Sequence, residues 1–167
     1  ILKKKNYKTK LLLIGDGTYK LRLQKLVNKL KIKEEVFFLG AKNEVEIFLD
    51  KFDIFAFSTT HDEGFGIALA EAMAKGIPII ASNCPGNKFV LKEIYKDNPD
   101  YINSNYFKLM PIIKNRIIKS LWVKELILFS KKHNNMQKYK NSAKLINKFT
   151  TNENFLKWEI IVKDFLN

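Results

Sequence analysis

The chain has 167 residues, of which 46% are hydrophobic, as expected for one folded domain with its own core rather than a disordered segment. No apolar run approaches the roughly 18 residues of a membrane-spanning helix, and we expect no signal peptide. The single cysteine, Cys84, excludes an internal disulfide and favours a reducing, cytoplasmic setting.

The charge is strongly basic. The formal net charge is +13, from 30 Lys and Arg residues against 17 Asp and Glu. A chain with this excess of positive charge can bind nucleic acid or an anionic membrane surface. Only Arg22 and Arg116 are arginines, the lysines are spread through both halves, and no nucleic-acid motif is present. We therefore expect no nucleic-acid partner, and peripheral contact with an anionic membrane stays open.

The first 51 residues alternate predicted strands and helices. A strand at 11–15 leads through the turn Gly15-Asp16-Gly17 into a helix at about 19–31. That helix is indicated by apolar residues at three- and four-residue spacing, namely Leu23, Leu26, Val27 and Leu30. A strand at 36–39 and a helix at about 43–51 follow. The glycines are interpreted first as turn residues, because the third glycine of a dinucleotide fingerprint is missing, with a ligand-facing backbone as the alternative.

The next unit places two glutamates and a Gly-x-Gly turn around the start of one helix. Residues 54–57, within a strand at 53–58, are apolar and aromatic, as in a strand buried on both faces. Gly64 and Gly66 allow the backbone to approach a ligand closely. Phe65 to Ala74 favours helix, Gly76 is expected to end it, and a strand is predicted at 77–81.

Strands separated by helices predict a parallel α/β sheet with right-handed crossovers. Ligands bind such sheets at the carboxyl ends of the strands. Residues 40–42, the loop before Glu63 and the loop at 82–88 are all expected at that edge.

The two glutamates point to a particular ligand chemistry. Free N–H groups at a helix start attract phosphate. Glu63 and Glu71 would repel the phosphate unless they bind hydroxyl groups, since an ionised carboxylate only accepts hydrogen bonds. Glu71 lies about two turns along the helix and is expected to share a face with Gly64, Ile67 and Ala68. A nucleotide sugar fits this arrangement, and two solvated surface glutamates are the alternative.

The pattern is weaker beyond residue 92. A turn is predicted at 98–100 and a short strand within 106–111, with Pro111 in the first turn of a following helix. That helix mixes apolar and basic residues, so it either packs on the sheet or presents a basic amphipathic surface to lipid. A last helix is expected from about Glu153 to Leu166.

Residues 63–82, from Glu63-Gly64-Phe65-Gly66 to Ile-Pro-Ile-Ile-Ala-Ser, resemble the signature of retaining GT-B glycosyltransferases, with glycosyltransferase family 4 the nearest match. The similarity extends over about residues 10–92. It implies a Rossmann-like parallel sheet flanked by helices, the C-terminal half of a GT-B fold. The expected domain is 1–167, with its core at about 10–92 and a helical region at about 111–167.

The resemblance also implies a role for each site residue. Glu63 would be catalytic, contacting the donor sugar and the charge that develops at its anomeric carbon. Glu71 would accept hydrogen bonds from the ribose hydroxyls. The remaining donor contacts would be Gly64, Phe65, Gly66 and Ile67, with possible base or loop contacts from Gly15, Gly40, Ala41 and Lys42. The donor would be a UDP- or GDP-sugar, and the family needs no metal or other cofactor.

The resemblance implies transfer of a hexosyl group to a glycan or lipid-linked acceptor in cell-surface polysaccharide or lipopolysaccharide biosynthesis. The location would be cytoplasmic, at the inner face of the cell membrane. The acceptor would be held by an N-terminal domain that this chain is expected to lack. The family's glutamate after the motif strand is absent as well, with Lys88-Phe89 near its place. The alternatives are a non-catalytic nucleotide-sugar-binding module and a basic binder of membrane surfaces or nucleic acid.

Overall fold

A computed structural model describes residue 2 and residues 7–59, 66–90 and 106–133 of the chain. The chain divides into two compact units, Ile1–Phe48 and Leu49–Asn167. Within the described residues, no helix has both the length and the apolar character needed to cross a bilayer.

The first unit is built on two parallel strands. Strand β1 (Leu11–Ile14) pairs with β2 (Val36–Gly40), and helix α1 (Lys20–Leu30) lies between them in sequence. A 3-10 turn (Lys33–Glu35) precedes β2, and α2 (Val45–Leu49) follows it. Helix α1 ends where Lys31 adopts a left-handed φ of 54° and donates its N–H to the Asn28 carbonyl at 3.1 Å.

The second unit holds a three-stranded parallel sheet. Its order is β3 (Phe55–Phe57), β4 (Ile79–Ser82) and β5 (Phe107–Met110). Helix α3 (Ile67–Ala74) precedes β4, a helical segment α4 at 85–90 follows it, and α5 (Arg116–His133) follows β5. Gly76, with a φ of 64°, ends α3 as predicted, so the chain can turn directly into β4.

The core of the second unit surrounds β4. All four residues of β4 are buried, and helix α3 contributes four buried residues, including Leu69 and Met73. Helix α5 packs Trp122 and Phe129 into one cluster with Ile80 and Met110. The Trp122 indole N–H donates to the Pro111 carbonyl at 2.7 Å, so this ring is held by a hydrogen bond as well as by burial.

Alternating elements and parallel pairing are confirmed, and the described strands begin and end within about three residues of their predicted bounds. The expectation that β3 is buried on both faces is wrong. Phe55 and Phe57 are half-buried and Ala56 is exposed, because among the described residues β3 pairs only with β4.

Two further expectations are corrected. Helix α5 begins at Arg116 rather than at Pro111, because Asn115 caps it: the Asn115 Oδ1 accepts the Ile118 N–H at 3.0 Å. Residues 82–88 are not all loop, since the chain is helical from residue 85. The predicted turn at 98–100 and the helix from Glu153 to Leu166 lie outside the described residues.

Candidate functional site

The start of α3 carries two backbone N–H groups that could bind an anion. Gly66 precedes the helix in a left-handed conformation (φ 65°, ψ 60°), which glycine adopts without strain. Its carbonyl accepts the Leu69 N–H at 2.8 Å and the Ala70 N–H at 3.1 Å. The N–H groups of Ile67 and Ala68 have no acceptor among the described residues, and no side chain caps the helix. Two donors at the positive end of a helix are therefore available.

Glu71 lies one turn along the same helix. Ile67, Ala68 and Glu71 are all exposed, whereas Leu69, Ala70, Ala72 and Met73 are buried. The predicted sharing of one helix face is thus confirmed for Ile67, Ala68 and Glu71. Within the described part of the chain, the Glu71 carboxylate forms no hydrogen bond or ion pair. It keeps its full capacity to accept hydrogen bonds from a ligand.

A buried polar chain joins the carboxyl ends of β3 and β4 to α4. The Ser82 hydroxyl donates to the Thr59 carbonyl at 2.8 Å, and the Asn87 Nδ2 donates to the Ser82 carbonyl at 2.8 Å. Ser82 and Asn87 are both fully buried. These bonds fix Thr59, which lies seven residues before Gly66 in the segment that leads to the helix start.

The sequence interpretation missed Asn87. An asparagine shortly after a buried strand is the available signal, since its amide can satisfy a strand-end carbonyl. Its Oδ1 is buried and has no hydrogen-bond partner in the part of the chain that the structure describes. Cys84 lies between Ser82 and Asn87 in sequence and is completely buried. This burial fits its interpretation as a small loop or core residue.

In the first unit, two glycines mark the carboxyl ends of the strands. Gly15 and Gly40 have φ values of 120° and 70°, and the Gly15 N–H donates to the Gly40 carbonyl at 2.8 Å. A Cβ atom built on either glycine meets nothing within 4 Å. Ala41 and Lys42 follow and are exposed, and the Lys42 Nζ lies 5.8 Å from the centre of the Phe48 ring. This edge presents bare backbone and one cation to solvent.

Asp16 organises the turn after β1. One carboxylate oxygen accepts the Gly17 N–H at 2.8 Å, and the other accepts a bond from Lys20 Nζ at 2.9 Å. The Lys20 hydrogen bond, the Gly17 N–H and the Lys20 charge together lower the pKa of the Asp16 carboxyl below its ordinary value. The aspartate thereby holds both the turn and the first residue of α1.

The predicted site residues fall into three groups. Gly66, Ile67 and Glu71 lie together at the start of α3 in the second unit. Gly15, Gly40, Ala41 and Lys42 lie at the strand ends of the first unit. Glu63, Gly64 and Phe65 lie outside the described residues. Among the described residues, no three His, Cys, Asp or Glu side chains form a group that could hold a metal ion.

Comparison with known proteins gives one family and several relatives. Residues 1–97 match the profile of the family described as glycosyl transferases group 1. A segment of 81 residues is 37% identical to the O-antigen biosynthesis glycosyltransferase WclY of Escherichia coli, covering 48% of this chain and 23% of that protein.

Solved structures show the same fold. HepE of Anabaena, in complex with UDP, has a TM-score of 0.65 at 18% identity, over 93% of this chain and 41% of that one. The pneumococcal O-GlcNAc transferase GtfA, in complex with UDP and GlcNAc, has a TM-score of 0.66 at 18% identity, over 99% of this chain and 31% of that one. This chain therefore spans less than half the length of each of these proteins.

Proposed function

The chain belongs to the glycosyl transferases group 1 family, and on that premise we propose that it binds the nucleotide-sugar donor of a retaining hexosyl transfer. Its alternating parallel strands and helices match part of the GT-B glycosyltransferase structures, which confirms the expected fold. The acceptor is proposed to be a glycan or lipid-linked glycan in cell-surface polysaccharide or lipopolysaccharide assembly, because the relative WclY acts in O-antigen biosynthesis.

One observation carries the proposal. On the exposed face of α3, the Ile67 and Ala68 N–H groups lie one turn from the Glu71 carboxylate, and none of these groups has a partner among the described residues. The N–H groups would bind a diphosphate oxygen, and the helix dipole favours its negative charge. The carboxylate, which would repel phosphate, would instead accept hydrogen bonds from two adjacent ribose hydroxyls. A nucleoside diphosphate sugar contains both kinds of group.

The other roles are proposed from the family resemblance. Glu63 is proposed to contact the donor sugar and to stabilise positive charge at the anomeric carbon, as a carboxylate does for an oxocarbenium-like transition state. Gly64, Phe65 and Gly66 would contribute close backbone contacts before the helix. The possible base or loop contacts at Gly15, Gly40, Ala41 and Lys42 are proposed from the resemblance alone.

UDP is the nucleotide we propose, because UDP is bound in the structures of HepE and GtfA. GDP is the alternative to compare. Transfer also needs an acceptor hydroxyl held close to the anomeric carbon, and such positioning is worth about 7–11 kcal/mol of the barrier. We assign acceptor binding to the part of the longer relatives that this chain does not span. We propose the cytoplasmic face of the cell membrane as the location of the reaction, because a chain with a single cysteine suits a reducing compartment.

Calorimetry with UDP and GDP tests the proposal. We expect Glu71→Ala to weaken UDP binding by about 1.5–3 kcal/mol, the contribution of hydrogen bonds to a charged group. The matched control is Glu46→Ala, an exposed glutamate in the first turn of α2, which should bind UDP as the parent does. Equal affinity of the Glu71→Ala variant and the parent would remove Glu71 from the site. Absence of UDP and GDP binding by the parent would overturn the proposed function.

A further inference from the structure

Helix α5 carries a second apolar surface that the described core does not use. Trp122 and Phe129 are buried against the sheet. On another side of the helix, Ile117, Leu121 and Leu128 are 74%, 44% and 49% exposed. These three aliphatic side chains are a large apolar area for an outward helix face.

Two lysines lie on the same line as the exposed aliphatic residues. Positions 117, 121, 124, 128 and 131 recur at alternating four- and three-residue intervals, which is the spacing of one helix face. Lys124 and Lys131 are exposed. We call the residues Ile117, Leu121, Lys124, Leu128 and Lys131 the outer stripe.

The outer stripe contains no acidic residue. Glu125 is the one acid between residues 116 and 133, and its carboxylate lies 3.9 Å from Lys108 Nζ. The other charged residues of α5 are basic, namely Arg116, Lys119 and Lys132. Apart from Glu125, the charged side chains near the outer stripe are therefore basic.

The combination of exposed aliphatic and basic side chains favours one kind of partner for this helix face over another. A second copy of the chain would add like charges to the contact, since each stripe carries two lysines and each chain has a net charge of +13. An anionic bilayer offers complementary charge instead. Aliphatic side chains enter the boundary between headgroups and acyl chains, while lysines lay their stems along that boundary and keep their ammonium groups at the phosphates.

We propose that the outer stripe of α5 is a docking surface for an anionic lipid bilayer. The surface uses no residue of the donor site, so lipid binding and UDP binding can be lost independently. A chain held there would meet a lipid-linked acceptor in two dimensions rather than by diffusion through solution. The alternation of aliphatic and basic residues along α5 then has a function beyond packing on the sheet.

Sedimentation with vesicles tests the charge of the stripe. The full chain is mixed with vesicles of phosphatidylcholine alone or with phosphatidylglycerol added. We expect binding only to the anionic vesicles. Lys124→Glu/Lys131→Glu should reduce it about twentyfold or more, because each lysine near an anionic surface contributes about fivefold. The control Lys33→Glu/Lys51→Glu changes the net charge equally at exposed positions outside any exposed apolar helix face and should reduce binding less than about threefold.

A second pair of variants tests the apolar part. Leu121→Gln should lower binding several-fold, whereas Ile47→Gln, at a 49% exposed position of α2, should not. Equal losses in the two lysine pairs would overturn the proposal, because they would indicate general attraction of a basic protein. So would a dimer, seen by sedimentation equilibrium, that Leu121→Gln dissociates. UDP affinity serves as the independent check that each variant keeps its fold.

Discussion

The two units differ in how far they bury their apolar residues. In the second unit Leu69, Met73, Ile79 and Ile80 are completely buried. Among the described residues of the first unit, Val27 and Val36 are the buried hydrophobic residues, and even they are 9% and 8% exposed. Along α1, three of the four residues of the predicted apolar stripe, Leu23, Leu26 and Leu30, are 40%, 47% and 55% exposed.

This difference shows that helix formation and burial of the helix face are separate properties, although one sequence pattern is often taken to predict both. Apolar residues at three- and four-residue spacing correctly predict α1 as a helix, but the spacing does not say how completely that face is covered. Helix α3 is apolar on nearly every side and is buried at Leu69, Ala70, Ala72 and Met73. Its exposed face carries the site residues. The second unit thus combines the more completely buried core with the helix start at which we propose that the donor binds.

The largest expected effect comes from a matched pair of leucines. Leu69→Ala in α3 should lower the free energy of unfolding of the second unit by about 2–5 kcal/mol, since it opens a cavity in a closed core. Leu26→Ala in α1 should cost about 1 kcal/mol or less, because the side chain is already half exposed. Amide hydrogen exchange of β4 and β1 measures the two units separately. Equal costs at both leucines would mean that α1 is buried in solution, against the comparison drawn above.

A smaller effect tests whether the second unit depends on polar groups as well as apolar ones. Asn87→Ala removes the donor to the buried Ser82 carbonyl and should cost about 1–3 kcal/mol, the range for leaving a buried polar group unpaired. Loss of the unpaired Oδ1 offsets part of that cost. Asn83→Ala, at an exposed neighbouring position, is the control and should change stability by less than about 0.5 kcal/mol. Chemical denaturation followed by circular dichroism compares them, and matching midpoints would show that the polar chain contributes nothing.

The parts of the fold that follow from local patterns were predictable. Glycine at position 76 ends α3, and apolar runs separated by helices give parallel strands, because these outcomes depend on neighbours in sequence. The start of α5 could also have been predicted, because asparagine is a preferred N-cap residue and Asn115 stands directly before the helix. The proline at 111 instead suggested an earlier start. The exposure of β3 was not predictable, because it depends on which strands pair beside it rather than on Phe55, Ala56 or Phe57 themselves.

Part of the candidate site was likewise predictable from the sequence, and part was not. Glycines and glutamates at fixed spacing predicted that Gly66, Ile67 and Glu71 lie at one helix start, since a helix sets their relative positions. The contact between Asn87 and Ser82 joins the helical segment α4 to the end of strand β4. Its geometry depends on how α4 packs beside β4, which no periodic pattern encodes. The roles of Glu63, Gly64 and Phe65 stay predictions.

The smallest effect concerns an exposed charge in the first unit, where burial contributes little. Lys20 lowers the pKa of Asp16 through a hydrogen bond and its charge, so Lys20→Met should raise that pKa toward the ordinary value for aspartate, about 3.9. Because the folded-state pKa lies below the unfolded one, the stabilisation by Asp16 is complete above the ordinary value. It is lost as the pH falls through the folded-state pKa.

Titration of the Asp16 carboxyl by NMR measures the shift, and exchange of the Gly17 amide reports whether the turn opens as the carboxylate is protonated. Lys25→Met, on the same helix but away from Asp16, should leave the titration unchanged. An Asp16 pKa that responds equally to both substitutions would mean that the diffuse charge of the basic chain, rather than the Lys20 contact, lowers it.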